Sequence, residues 1–139
     1  MTAVSELEFI NGPTYLIALI VRTTYEPFQT AFLTENDANL QLGFVVYPAG
    51  GEIVPHVHHP IERATSGTAE VLVVKSGRCE IDFYSEDKNL VATREISAGD
   101  VTLLLRGGHG FRLIEDTVFL EVKQGPYAGI SEKERFEPK

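Results

Sequence analysis

The amino-acid sequence predicts an all-β fold, a sandwich or barrel of short strands. Three observations carry this. Runs rich in β-branched and aromatic residues recur at roughly ten-residue spacing. Short clusters of Gly, Asn, Asp and Ser cut them apart. No stretch has a convincing helical period, and only 34–38 reads as a short turn. Many short strands with regular turn signals belong to sandwiches and barrels.

The predicted strands lie near 15–23, 41–48, 53–58, 70–75, 78–84, 90–96, 101–105, 110–114 and 118–123. Each ends at recognisable punctuation: Pro48-Ala49-Gly50-Gly51, Ser76-Gly77, 85–89, Ser97-Ala98-Gly99, Gly107-Gly108 and Glu115-Asp116. Ser76-Gly77 is a two-residue break that suits a tight hairpin. In 78–84, Cys79, Ile81 and Phe83 share one parity and charged residues the other, so Cys79 reads as a buried core thiol. Two runs, 16–21 and 101–105, are apolar on both parities, and such strands need cover on both faces. One face meets the core. The other meets a second sheet of the same chain or a second subunit, which makes a homodimer the expected assembly.

The 139 residues are the length of one domain. The expected division of 1–139 is an N-terminal strand segment at 13–24, a core at about 40–124 and a surface tail at 125–139. The tail is mixed in charge, and Phe136 is placed to pin it on its own domain or on a partner.

Net charge is −8 with a pI near 4.9. That balance repels phosphate backbones and anionic membranes, so neither nucleic acid nor membrane is an expected partner. The longest apolar run, 15–21, is far short of a membrane-spanning helix. The acidic N-terminal stretch lacks the basic region of a signal peptide. With a single cysteine no internal disulfide can form, and a cytoplasmic location is expected. There is no G-x-S-x-G, phosphate loop or dinucleotide fingerprint, which sets nucleophilic and nucleotide-cofactor chemistry aside.

The histidines carry the functional signal. Three stand in Pro55-His56-Val57-His58-His59-Pro60, and the fourth, His109, follows Gly107-Gly108. Residues two apart on a strand share a face, so His56 and His58 can converge on one point. Two imidazoles there begin a divalent-metal site, or serve as a plain histidine cluster or an acid–base pair.

The spacing around them resembles the cupin family. Gly50 is followed by five residues and then His56-Val57-His58, and Glu70 by six residues and then Gly77, as in the first cupin motif. Eleven residues separate His58 from Glu70, where the motif has three or four. Glu62, three residues after His58, therefore competes with Glu70, but Glu70 opens the strand-like run that the motif places after its carboxylate. The second motif opens well at Ser97-Ala98-Gly99-Asp100-Val101. It then has Leu105 where Pro is usual, His109 one residue early, and Leu113 in place of the final Asn. The Gly107-Gly108 bend can absorb the one-residue shift. The chain is also similar to small cupins associated with surface-polysaccharide and sugar-modification pathways, through Gly107-Gly108-His109-Gly110-Phe111 and the run 121–127.

The resemblance implies a single-domain jelly-roll barrel, the cupin double-stranded β-helix. It implies a metal held by His56, His58, Glu70 and His109, with Fe, Mn, Ni, Cu and Zn not distinguished. The function so implied is metal-assisted chemistry on a small polar molecule such as a sugar derivative. Arg63, Arg106, Arg112 and Glu62 flank the ligand segments and are the substrate-binding candidates. The resemblance supports two alternatives. One is a metal-independent sugar-nucleotide ketoisomerase with His56 and His58 as catalytic acid and base. The other is a non-enzymatic protein that binds a small ligand.

Overall fold

The computed structural model describes residues 5–138, and among these it is all-β. In chain order the strands are β1 (Leu7–Asn11), β2 (Leu16–Val21), β3 (Ala31–Phe32), β4 (Gly43–Phe44), β5 (Glu70–Ser76), β6 (Arg78–Tyr84), β7 (Leu90–Ser97), β8 (Val101–Leu104), β9 (Gly108–Leu113) and β10 (Val118–Lys123). A five-stranded sheet has the order β1-β2-β8-β5-β10, and a three-stranded sheet the order β7-β6-β9. β3 and β4 form a separate small ladder. Every pairing is antiparallel. No helix among the described residues is long and apolar enough to cross a membrane.

The two larger sheets share a core. Period-two alternation sends Cys79, Ile81 and Phe83 of β6 inward, and all three are fully buried. They meet Ile20, Leu72, Val74 and Ile96 from the neighbouring strands. The Cys79 thiol is pushed up in pKa by burial, which keeps it protonated and unreactive.

The outward parity of β6 is polar and paired. Asp82 is 7% exposed; both guanidinium Nη groups of Arg112 donate to it, and the Thr93 hydroxyl donates at 2.6 Å. The Arg112 hydrogen bonds hold the Asp82 carboxyl below its ordinary pKa. A depressed carboxylate stabilises the fold above its unfolded pKa, near 3.9, and that share is lost as pH falls through the lower folded value. Unfolding in urea is therefore expected to show stability falling as pH drops below about 5. Asp82→Asn should flatten that slope, and an unchanged slope would contradict the assignment.

The doubly apolar strands β2 and β8 find cover for their second face within the chain. Leu19, Val21 and Leu103 lie under Tyr25, Leu33, Leu40, Leu42 and Phe44, which belong to the arm from 25 to 44. This is one of the two covers expected for that face, and it needs no second subunit. The turn expected at 34–38 is present, with Ala38 N donating to Glu35 O at 3.1 Å. Phe136 holds the tail on its own chain, edge-on to Tyr84 at 5.1 Å.

Several expectations need correction. Ser76-Gly77 does not make a hairpin, because β5 and β6 lie in different sheets. The chain turns a corner there, with Gly77 at φ 93. A Cβ on Gly77 would sit 2.2 Å from the Asp116 carbonyl oxygen, so the corner packs backbone against backbone. Of the strand expected at 41–48 only β4 forms, and 53–58 forms none. Residues 45–69 carry no strand at all, and every residue from 47 to 68 is exposed. Without those strands the sheets stay open along β9 and β10 and do not close into a barrel. Conversely, β1 and β3 form where none was expected. β1 is an edge strand, half exposed, and its mixed sequence LEFIN carries little periodic signal.

Candidate functional site

A cleft of about 1020 Å³ lies at the open end, between β5 and β10 on one side and β9 on the other, with the tail at 132–138 along its rim. Two of the predicted residues meet in it. Glu70 opens β5, between β8 and β10, directly after the buried Ala69. His109 lies on β9 opposite Phe83 of β6, so it shares the inward parity of Phe111. His109 Nε2 is 3.6 Å from Glu70 Oε2, a close contact but longer than a hydrogen bond. The side chains are 33% and 17% exposed.

Their surroundings push both toward neutrality. Burial raises the Glu70 carboxyl, and the neighbouring Glu121 charge adds to this. Burial lowers the His109 imidazole, Glu121 opposes, and Lys133 adds to the lowering. A histidine lowered from 6.5 is neutral at pH 7, so the contact is not an ion pair between full charges.

The walls combine aromatic and charged groups. Phe111 and Phe119 pack with ring centroids 5.2 Å apart, and Phe136 closes one end against Gly108. Glu121 and Lys123 project from β10 into the same space as Phe119. Lys123 Nζ reaches Glu132 Oε2 at 3.3 Å and ties the tail to the rim.

The sequence reading missed Glu121 and Lys123 because the parity of β10 misleads. In Val118-Phe119-Leu120-Glu121-Val122-Lys123 the valines and leucine look like the core face. Val118, Leu120 and Val122 in fact point outward, between 52% and 58% exposed. The usable signal was Phe119, an aromatic on the polar parity.

The remaining predicted residues lie elsewhere. His56 and His58 sit on the exposed segment, rings edge-on at 5.2 Å, with His56 Nδ1 2.9 Å from the Val54 carbonyl oxygen. Glu62 and Arg63 are on the same segment and exposed. Arg106 pairs with Glu86 at 2.7 Å and stacks on Tyr15. Arg112 is committed to Asp82 and Glu80 on the outer face.

The four ligands expected for a divalent metal are thus split two and two. Among the described residues no three His, Cys, Asp or Glu side chains form a metal-binding group. As arranged in one copy of the chain, the residues do not fit the metal. Comparison of the chain with protein-family models, curated proteins and solved structures returns no match.

Proposed function

We propose that the cleft binds a sugar derivative and that Glu70 and His109 move a proton on it. The single observation behind this reading is the half-buried Glu70–His109 pair, 3.6 Å apart inside the cleft. A neutral imidazole can take a proton, and burial moves the Glu70 carboxyl toward the form that can give one. In an aldose–ketose interconversion one group removes a proton from the carbon beside the carbonyl, and the other protonates the carbonyl oxygen. The enediol then collapses with the roles reversed, so no proton is gained or lost.

The walls favour a polyhydroxylated ligand. Hydroxyls both donate and accept, which suits a lining that holds Glu121 and Lys123 together. The C–H face of a sugar ring packs on Phe111, Phe119 or Phe136. About 1020 Å³ is more than one monosaccharide fills, so a sugar carrying a phosphate or nucleotide is the best-fitting size. A metal-assisted reaction is the second reading; it requires His56 and His58 beside Glu70 and His109.

The test is calorimetric titration with three probe sets: free deoxyhexoses, hexose phosphates and nucleotide sugars. One set is expected to bind, and His109→Ala and Glu70→Gln should each weaken it about tenfold or more. Solvent deuterium should enter the bound sugar at the carbon beside its carbonyl. Binding without deuterium uptake would reduce the protein to a ligand-binding role. Equal binding by wild type and both variants would overturn the site.

A further inference from the structure

Two features of the molecule are complementary. The first is a pair of vacant strand edges. The five-stranded sheet ends at β10 and the three-stranded sheet ends at β9, each with one side unpaired. Both edges border the cleft, so the cleft lacks a wall where they face each other. Unpaired edges of this kind are templates for another strand.

The second is a length of chain with strand character that joins no strand ladder. Residues 45–58 include Val45, Tyr47, Ile53, Val54 and Val57, all more than half exposed. A run as long as 45–69 without secondary structure is uncommon inside a domain. Its N-terminal end is anchored by Leu42 and Phe44 over Leu19 and Leu103, on the outer face of β2 and β8. Val46 is tied in the same arm, its N–H donating to Thr30 Oγ1 at 2.8 Å. On the far side, Asn39 Nδ2 donates to the Ser66 carbonyl at 2.7 Å and draws the returning chain to the arm.

We infer that two copies of this chain exchange residues 45–58, each adding strands to the free β9 and β10 edges of the other and closing its cleft. The exchange is reciprocal, so it ends at a two-fold dimer without further growth. β9 carries His109 beside the cleft, and Glu70 at the start of β5 lies 3.6 Å from it. The matching parity of the incoming strand is that of His56 and His58, whose rings already share one face. Each site then contains residues of both copies, and a single copy holds an incomplete one. The inference stands on strand edges and not on proton transfer, so it can fail while the cleft chemistry holds, and the reverse.

The test uses the intact chain. Sedimentation equilibrium is expected to give twice 15.4 kDa, and amide hydrogen exchange should be slow across 53–58. Val57→Pro removes a ladder N–H and should return the mass to 15.4 kDa with the fold intact, since Val57 is 82% exposed in the single copy. To separate exchange from fold-back, unlabelled Val57→Cys copies are refolded with nitrogen-15-labelled Leu113→Cys copies and treated with a bismaleimide. Cys79 is buried and does not compete. Cross-links between light and heavy chains support exchange. A wild-type monomer, a dimer with rapidly exchanging amides at 53–58, a dimer that survives Val57→Pro, or no light–heavy cross-link overturns it.

Discussion

Phe83→Ala is expected to lower the free energy of unfolding by about 4 kcal/mol. Phe83 is the largest of the fully buried side chains and sits mid-core on β6. β6 is the central strand of its sheet, with β7 on one side and β9 on the other. Truncation loses the transfer free energy of the ring and leaves a cavity that two paired neighbours cannot collapse into. Phe83 also stands opposite His109, so the loss should loosen the cleft as well as the core. Urea unfolding reads the stability. A loss below about 1 kcal/mol would show that the sheets do not pack around this residue.

Asp100→Ala should cost about 3 kcal/mol, for a different reason. Asp100 is 3% exposed at the turn into β8. Its carboxylate accepts from the backbone N–H groups of Thr23 and Ser97, each at 2.9 Å, and from Arg22 Nη1 at 3.2 Å. It therefore ties the end of β2 to the turn between β7 and β8. Alanine leaves the two amides without this acceptor and takes the counter-ion from Arg22, whose side chain is only 13% exposed and keeps one bond, to the Glu95 carbonyl at 2.6 Å. Asp100→Asn keeps an acceptor and the shape, and should recover part of the loss. If alanine cost less than about 1 kcal/mol, these bonds would not be what holds the turn.

Strand positions were legible where both faces of a strand obey one rule. β6 alternates core against paired charge, and β2 and β8 carry apolar residues on both parities because both their faces are covered. Legibility failed where the pattern answers to something beyond a single strand. Residues 53–58 have strand composition but no partner in the chain, and composition cannot report a missing partner. Ser76-Gly77 has hairpin chemistry, yet the same two-residue break serves a corner between sheets. At the site, Glu70 and His109 were found through a family resemblance of the motifs around them. Glu121 and Lys123 were hidden by a strand whose apolar side faces outward. Glu62, Arg63, Arg106 and Arg112 were selected for their place in the chain, and the fold brings none of them to the cleft wall.

The proposed function requires a ligand to bind in the cleft that holds Glu70 and His109. The most direct measurement is a nitrogen-15 NMR titration with a hexose phosphate and a nucleotide sugar, following backbone amides and the His109 ring nitrogens together. The predicted result is saturable shifts grouped at 68–72, 107–111 and 119–123, with the His109 ring among the largest. Shifts grouped elsewhere, such as around Arg22 and Arg94 on the opposite sheet edge, or no shift with either probe, would contradict the account.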